Sequence, residues 1–205
     1  ALVLLSSGAL VTALRLLAKR PAVMIGFGGY PSFAPLLMAW ILRIPTLVHE
    51  QNAFLGRANR LLAKRAGHLA LSWQDTANLP DGTHCVTSGM PVRRAFFDHA
   101  GPTATKSKSL HLTVLGGSLG AGIFADLLPP AIAALPASLR ARLRLTQQCR
   151  AAQIDTVRTT YKAMGVDATV APFFDDIPGI LATSHLVIGR AGASSVAELA
   201  AAGKP

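Results

Sequence analysis

The stretch LHLTVLGGSLGAGIF, residues 110–124, decides the fold class, because a β-branched apolar run enters a glycine-rich loop and then a helical pattern. We predict a strand at 112–115, a loop at 116–121 and a helix at about 120–134. Glycines let backbone N–H groups approach an anion, and the helix N-terminus adds partial positive charge. The loop favours a diphosphate, although a strand-to-helix turn without a ligand is equally compatible with it. No Gly-Lys-Ser/Thr follows, so it is not a P-loop.

The same alternation of short apolar runs and helical stretches occurs along the rest of the chain, and it predicts parallel sheets wrapped by helices. The predicted strands are 23–27, 46–48, 69–71 and 85–87, followed by a second series at 112–115, 143–146, 169–170 and 186–188. The further predicted helices are 32–42, 56–66, 152–163 and 194–202.

A polar segment separates the two series. Residues 98–109, DHAGPTATKSKS, are rich in Gly, Pro, Ser, Thr and Lys without an apolar period, which predicts a linker. We therefore expect an α/β protein with two Rossmann-like parallel-sheet domains, residues 1–97 and 110–205, facing a cleft. Ligands of such sheets lie beyond the carboxyl ends of the strands. The chain starts at Ala1 and stops at Pro205, and we expect both domains to be truncated.

The composition is that of a globular protein, with 51% hydrophobic residues in 205. The net charge of +10 suits an anionic partner, such as nucleic acid, an acidic membrane surface or a phosphorylated substrate. The basic residues are spread along the chain and only 6% of residues are aromatic, which disfavours nucleic acid. Two cysteines make neither a disulfide framework nor a zinc site, and the adjacent carboxylates Asp175 and Asp176 are a weak metal candidate.

The first eighteen residues are apolar, but a membrane-spanning helix needs about 20 such residues and Arg15 interrupts this run. We expect either a buried helix or one that lies on a membrane surface. The basic residues Arg15, Lys19 and Arg20 near its end favour the membrane surface.

Polar motifs follow several predicted strands. Residues 26–30, GFGGY, form a second glycine-rich loop, and residues 49–52 read HEQN. In the latter, His49 and Glu50 can exchange protons or orient a hydroxyl, whereas helix capping by Asn52 and a hydrogen-bonded His49 are the structural alternative. Downstream, Arg93 offers a planar fork for phosphate or carbonyl oxygens, while Arg94 is expected on a solvated surface.

The last motif is GRAGASSVAE, residues 189–198, in which a strand enters a Gly/Ser-rich loop and a helix begins near Ser194. The free N–H groups and hydroxyls of such a loop can hold a diphosphate. Glu198 can accept two hydrogen bonds from a ribose diol. A capping box between Ser195 and Glu198 explains the same spacing equally well.

Six strings in this order resemble the MurG family, the peptidoglycan lipid I N-acetylglucosaminyltransferases of GT-B fold: GFGGY, PTLVHEQNAFLGRANRLLA, SGMPVR, LGGSLGAGIF, PFFDDI and GRAGASSVAELAAAGKP. The resemblance implies inverting transfer of N-acetylglucosamine from UDP-GlcNAc to lipid I, undecaprenyl-pyrophosphoryl-N-acetylmuramoyl-pentapeptide, giving lipid II. It implies neither a cofactor nor a metal, and it implies a place in cell-wall synthesis, and thereby in cell shape and division.

The resemblance also implies roles for individual residues. Asn52, Arg93 and Ser118 match donor-contacting positions, Phe174 matches the residue whose backbone meets the uracil, and Gly28, Gly29 and Tyr30 fall in the loop for the acceptor's diphosphate. The segment for the donor's diphosphate and ribose comprises Ala193, Ser194, Ser195, Val196, Ala197 and Glu198. His49 and Glu50 are expected to line the same cleft.

This sequence departs from the family pattern at several points. Leu119 and Met90 replace a usual glutamine and asparagine, and the family's GGTGGH loop, which carries the usual candidate for the base, is absent from these residues. We leave the catalytic base unassigned and expect the fragment alone to be inactive. A non-catalytic nucleotide-sugar-binding subunit is the alternative function. An NAD-dependent oxidoreductase is disfavoured because no GxGxxG precedes an acidic residue about 20 positions on.

The family resemblance implies a peripheral protein on the cytoplasmic face of the bacterial inner membrane. An apolar patch rimmed by basic residues would contact anionic lipid there, and the alternative is that its leucines pack in the core. The expected patch consists of Leu4, Leu5, Leu16, Leu17 and Trp40, with Arg15, Lys19 and Arg43.

Overall fold

The computed structural model describes residues 2–101, 108–117 and 122–205, with side chains from residue 7 onward. The chain divides into two compact units, Ala1–Pro91 and Val92–Pro205, here called unit 1 and unit 2. Each unit is built on its own parallel sheet of four strands. The predicted α/β class with two parallel sheets is confirmed.

Unit 1 is a β/α layer in which all strand pairs are parallel, in the order β1-β2-β3-β4. Its core lies where β2 pairs with β3, since Val48 and Leu69 are opposite each other and both fully buried. Helix α2 buries Leu36 and Ala39. The elements are α1 (Leu2–Ala18), β1 (Met24–Gly26), α2 (Tyr30–Ile41), β2 (Thr46–Glu50), α3 (Arg57–Ala63), β3 (His68–Leu71) and β4 (Cys85–Thr87).

Unit 2 has the strand order β7-β6-β5-β8, again with parallel pairs. Its core contains Val114, Leu145 and Tyr161, and the Tyr161 hydroxyl donates to Gln147 Oε1 over 2.6 Å. The elements are α4 (Arg94–Asp98), β5 (Leu110–Leu115), α5 (Gly122–Ala133), α6 (Ala137–Arg140), β6 (Leu143–Gln148), a 3₁₀ turn (Ala151–Gln153), α7 (Ile154–Ala163), β7 (Asp167–Ala171), α8 (Ile177–Thr183), β8 (Leu186–Gly189) and α9 (Ala193–Ala202).

The boundary between the units falls ahead of the predicted linker. Phe96 of α4 is fully buried against Leu181 and Ala202, so α4 belongs to unit 2 although the sequence placed residues up to 97 in the first domain. At the start of the predicted linker, the Gly101 carbonyl accepts a hydrogen bond from Lys204 Nζ over 3.0 Å. Residues 102–107 of that linker lie outside the described residues.

Every predicted strand is present, and most extend one or two residues beyond the predicted bounds. The short helices α4, α6 and α8 were not predicted, because four to seven residues are too few to show a helical period. The two cysteines differ in environment: Cys85 is exposed on the edge strand β4, and Cys149 is buried directly after β6.

Helix α1 corrects one expectation about the membrane patch. Leu16 is only 6% exposed and packs against Ala39 and Ile44, so it belongs to the core and not to a surface patch. The side chains of Leu4 and Leu5 lie outside the described residues. Within the described part of the chain, none of the helices is both long and apolar enough to cross a membrane.

Candidate functional site

The carboxyl ends of β1 and β2 open onto a pocket in unit 1. The pocket lies where the glycine-rich loop after β1 meets the loop after β2, which are neighbouring strands of the sheet. Its lining residues are Gly28, Gly29, Tyr30, Glu50, Gln51, Asn52, Gly56, Arg57, Ala58 and Asn59.

A buried carboxylate organises this pocket. Glu50, at the end of β2 and 2% exposed, accepts four hydrogen bonds. Oε1 accepts from the backbone N and Nδ2 of Asn52, both at 3.0 Å, and Oε2 accepts from Gly56 N at 3.0 Å and Asn59 Nδ2 at 2.9 Å. The carboxylate therefore holds the loop 51–56 and the first turns of α3 against the strand.

These hydrogen bonds determine the charge state of Glu50. Burial raises the pKa of its carboxyl group, but the donors from Gly56, Asn52 and Asn59 outweigh burial and leave the pKa below its ordinary value. A carboxylate with a lowered pKa and every lone-pair direction occupied is a poor proton acceptor. The structure thus favours a structural role for Glu50 over the predicted proton exchange with His49.

The His49 ring is also fixed by its neighbours, through one aromatic contact and two ring-nitrogen contacts. The Phe27 ring lies beside it, with ring centroids 5.5 Å apart. Its Nε2 lies 3.1 Å from the Gly89 carbonyl, and its Nδ1 lies 3.0 Å from Gln51 Nε2. This pattern suits a neutral ring with the proton on Nε2. Of the two interpretations, the hydrogen-bonded structural histidine is the one that the contacts favour.

The glycine loop after β1 leads into the N-terminus of α2. Gly28 and Gly29 have φ angles of 84° and 75°, which only glycine adopts without strain. Gly29 is the N-cap of α2 and makes no side-chain cap hydrogen bond. Ser32 Oγ donates to the Gly28 and Gly29 carbonyls and fastens the loop to the first turn of the helix.

A second pocket lies in unit 2, beyond the carboxyl ends of β5, β6 and β7. It combines an arginine, a glutamate, a serine and a wall of aromatic side chains. Its lining residues are Arg93, Leu115, Gly117, Gln148, Phe173, Phe174, Asp175, Ile177, Ser195 and Glu198. An adjoining apolar pocket, which shares several of these residues, extends under α9 to Gly189, Arg190 and Val196.

The side chain of Gln148 joins two loops of this pocket. Its Oε1 accepts from Gly116 N over 3.1 Å, and its Nε2 donates to the Pro172 carbonyl over 3.2 Å. The start of the glycine-rich loop after β5 is thereby fixed relative to the loop after β7. Ser118 and Leu119, which the sequence singled out in this loop, lie outside the described residues.

Helix α9 begins differently from the capping-box alternative. Its N-cap is Gly192, without a side-chain cap hydrogen bond, and the helix starts at Ala193. A capping box built on Ser195 is therefore absent. Glu198 instead points towards Arg93, with Oε1 3.8 Å from Nη2. The Arg93 guanidinium also lies over the Phe96 ring, with Cζ 5.0 Å from the ring centroid.

The environment of Glu198 differs from that of Glu50. Burial raises the pKa of the Glu198 carboxyl group, and the charge of Arg93 opposes this, but the net pKa remains above its ordinary value. Among the described residues, no set of hydrogen-bond donors around Glu198 outweighs burial. Its side chain is 30% exposed, so its oxygens are accessible to a ligand that donates hydrogen bonds.

The structure brings most of the predicted residues into these two pockets. Arg93, Phe174, Ser195 and Glu198 meet in unit 2, and Asn52 lines the unit 1 pocket with Gly28, Gly29 and Tyr30. Val196 lines the adjoining apolar pocket, whereas Ala193, Ser194 and Ala197 line none of the pockets described above.

Several pocket residues escaped the sequence analysis, chiefly Asn59, Arg57 and Gln148. Asn59 lies in RANRLLA among other polar residues, and the sequence carries no signal that sets it apart from them. Of the adjacent carboxylates, Asp176 caps α8 by accepting from Gly179 N over 2.9 Å. Within residues 2–101, 108–117 and 122–205, no three His, Cys, Asp or Glu side chains cluster as metal ligands would.

The fold and the two pockets define a two-sheet α/β protein with glycine-rich, anion-compatible loops at the carboxyl ends of its strands. Comparison with known proteins gives the family. The model of the glycosyltransferase family 28 N-terminal domain matches residues 3–70, and that of the C-terminal domain matches residues 111–205. The chain belongs to glycosyltransferase family 28.

Individual proteins that are similar to this chain support the same family. The UDP-N-acetylglucosamine--N-acetylmuramyl-(pentapeptide) pyrophosphoryl-undecaprenol N-acetylglucosamine transferase of Granulibacter bethesdensis is 50% identical over 89% of this chain and 49% of that protein. The enzyme of the same name from Rhodospirillum centenum is 48% identical over 94% and 52%. A crystal structure of Acinetobacter baumannii MurG matches with a TM-score of 0.70 at 30% identity, over 97% of this chain and 55% of that one.

These matches confirm the resemblance that the six sequence strings carry. The chain spans about half the length of the curated relatives that it matches.

We expect Glu50→Gln to destabilise unit 1 by about 3 kcal/mol. In either orientation the new amide group turns its NH₂ towards two buried donors, and each unsatisfied buried polar group costs about 1–3 kcal/mol. Both tryptophans, Trp40 and Trp73, lie in unit 1, so urea unfolding followed by tryptophan fluorescence reports on this unit. Asp75→Asn, at an exposed position of the same unit, is the matched control.

The effect of Glu50→Gln should depend on pH. Because the folded pKa of Glu50 is lowered, its stabilisation is complete above the ordinary pKa and is lost as the pH falls through the folded value. The difference in unfolding free energy between the two chains should therefore shrink only in acid. Equal stability of the variant and the parent chain at neutral pH would contradict this account.

We expect an NMR titration of the Glu198 carboxyl carbon to give a pKa above the model-compound value of 4.5. Arg93→Ala should raise this pKa further, because it removes the cation that opposes burial. Arg94→Ala is the control, since Arg94 is exposed and pairs with Asp98. An unchanged Glu198 pKa in the Arg93 variant would show that the two side chains do not interact in solution.

Proposed function

We propose that the protein to which this chain belongs transfers N-acetylglucosamine from UDP-GlcNAc to the lipid-linked N-acetylmuramoyl-pentapeptide. The names of the relatives support this assignment at 48–50% identity. The observation that carries it is the unit 2 pocket, where Arg93, Ser195 and Glu198 meet at the carboxyl ends of a parallel sheet. Such an edge is where α/β proteins bind nucleotides.

In this proposal unit 2 binds the donor. The Glu198 carboxylate accepts hydrogen bonds from the ribose diol, which suits its partly exposed oxygens. The N–H groups at the start of α9, which has no side-chain cap, hold the diphosphate together with Ser195 and Ser118. The uracil lies against the segment at Phe174, and Arg93 adds charge-assisted hydrogen bonds.

Unit 1 binds the acceptor in this proposal. The loop at Gly28, Gly29 and Tyr30 offers N–H groups at the uncapped N-terminus of α2, which favours the acceptor's diphosphate. Asn52, which the family resemblance assigns to the donor, lies in this unit 1 pocket, where its backbone N and its Nδ2 both donate to Glu50 Oε1.

The reaction that follows is a direct displacement. A general base takes the proton from the acceptor hydroxyl while its oxygen attacks the anomeric carbon, and the bond to UDP breaks. The leaving diphosphate is stabilised by helix N-termini and hydroxyls. The base remains unassigned, because the contacts of His49 and Glu50 favour structural roles.

Calorimetric titration of the 205-residue chain with UDP-GlcNAc tests the donor site. We expect binding that is weaker for UDP-glucose and absent for NADH. Glu198→Ala should weaken UDP-GlcNAc binding about 10- to 100-fold, because each hydrogen bond to a charged group contributes about 1.5–3 kcal/mol. Asp167→Ala, at the opposite edge of the same sheet, is the control and should leave the affinity unchanged. If the folded chain does not bind UDP-GlcNAc, or if Glu198→Ala binds it with the affinity of the parent chain, the proposed donor site is wrong.

We further propose that unit 1 rests on an anionic membrane surface at the cytoplasmic face of the inner membrane. Helix α1 exposes Leu10, Leu14 and Leu17 along one face, at helical spacing. Trp40 is also exposed, and Arg65 lies 5.5 Å over its ring. Arg15, Lys19 and Arg43 are exposed as well. Each basic residue near an anionic surface adds about 1 kcal/mol.

Flotation with vesicles tests the membrane proposal. The chain should float with phosphatidylglycerol vesicles and much less with phosphatidylcholine vesicles. Changing Leu10, Leu14 and Leu17 together to serine should abolish flotation. The matched control changes Ile123 and Leu127 of α5 to serine. These are two similarly exposed apolar residues of unit 2, and this variant should float like the parent chain. If the parent chain floats no better with phosphatidylglycerol vesicles than with phosphatidylcholine vesicles, the membrane proposal is wrong.

A further inference from the structure

The unit 1 pocket contains a buried hydrogen-bond acceptor without a partner. Asn59 of α3 is 3% exposed and lines the pocket. Its Nδ2 donates to Glu50 Oε2 over 2.9 Å and lies 3.4 Å from the His49 carbonyl. Its Oδ1 is buried and has no hydrogen-bond partner among the described residues.

The orientation of this amide is fixed by Glu50. Exchanging oxygen and nitrogen would place Oδ1 against a carboxylate whose pKa is lowered and which therefore stays charged. Oδ1 is then the atom of this amide that does not contact Glu50. A Cβ atom on Gly28 would lie 3.0 Å from Nδ2 and 3.4 Å from Oδ1, so the glycine lets the loop pack directly against the Asn59 amide. A buried acceptor without a partner among the described residues is rare in native proteins, and it is suited to a hydrogen-bond donor.

The surroundings of Asn59 indicate what that group belongs to. Gly29 and Tyr30, at the N-terminus of the twelve-residue helix α2, line the pocket together with Arg57, and a helix N-terminus and an arginine both favour a phosphate. Asn59 Oδ1 favours a donor, which a phosphate lacks. A ligand that satisfies both carries an N–H group next to its phosphate.

We infer that Asn59 determines specificity for the sugar of a bound sugar phosphate. Its Oδ1 accepts a hydrogen bond from an acetamido N–H on the carbon next to the phosphate-bearing carbon, while the phosphate lies at Gly28–Tyr30 and Arg57. This rests on the proposed function and extends it, because it assigns the residue that distinguishes an N-acetylated sugar from other sugar phosphates. A buried group built to pair with a donor rejects an analogue that lacks one.

The test compares two ligands that differ in one atom. N-acetylglucosamine 1-phosphate carries the N–H, and 2-O-acetylglucose 1-phosphate has an ester oxygen in its place. Binding to the 205-residue chain is followed by ¹⁵N NMR at the backbone of Gly28 and Gly29 and at the side chain of Asn59, so that unit 2 signals are separated. We expect at least tenfold tighter binding of the N–H ligand and a shifted Asn59 amide signal. Equal affinities, or no change at these signals, would overturn the inference.

Three variants separate specificity from structure. Asn59→Leu keeps the branched shape but removes both the acceptor and the Nδ2 donor to Glu50, and the tenfold preference should fall to about one. Arg57→Ala should weaken both ligands equally and keep the preference, because it removes only a phosphate contact. Arg60→Ala, exposed on the same helix but outside the pocket lining, should change neither. A preference that survives in Asn59→Leu would also overturn the inference.

Failure here is distinguishable from failure of the proposed function. Donor binding is measured in unit 2 through Glu198, and it does not depend on the Asn59 amide. UDP-GlcNAc binding together with equal affinities for the two sugar phosphates would reject only the role of Asn59.

Discussion

The pocket of unit 1 depends on one buried carboxylate. Glu50 lies at the end of a central strand and accepts four hydrogen bonds from the loop and helix that follow. This one carboxylate therefore fixes the loop against the strand. A buried charge is costly unless it is fully hydrogen-bonded, and here it is. The same bonds set the direction of the Asn52 and Asn59 side chains. The polarity of the pocket thus follows from the position of one side chain on the strand.

In unit 2 a neutral side chain, that of Gln148, fixes the loops around the pocket. Gln148 has one acceptor and one donor arm, and it uses each to fix a different loop at the edge of the sheet. The neutral amide leaves the pocket without a negative charge close to Gly116, which suits an anionic ligand. Asp175 and Glu198 are the carboxylates that line the pocket, and the charge of Glu198 is offset by Arg93, which lies 3.8 Å away.

The sequence predicts the sheets well and the side-chain contacts poorly, for a physical reason. Strands such as β2 and β5 are apolar runs ended by glycine or polar residues, and this local signal does not depend on the rest of the fold. The partners of Glu50 lie two to nine residues further along the chain, but the apolar pattern does not show that their N–H groups turn back to this carboxylate. The contact of Arg93 with Glu198 similarly depends on Phe96 packing α4 into unit 2. Asn59 was missed because helix α3, RANRLLA, carries several polar residues and the sequence does not show that Asn59 is the buried one.

The two cysteines give each unit its own chemical reporter. Cys85 lies exposed on an edge strand of unit 1, and Cys149 is 1% exposed in the core of unit 2, where burial raises the pKa of its thiol. A thiol reagent added to the folded chain therefore modifies the first and spares the second until unit 2 opens. The labelling rate of Cys149 then measures the opening equilibrium of unit 2 alone, with Cys85 in the same molecule as the internal standard.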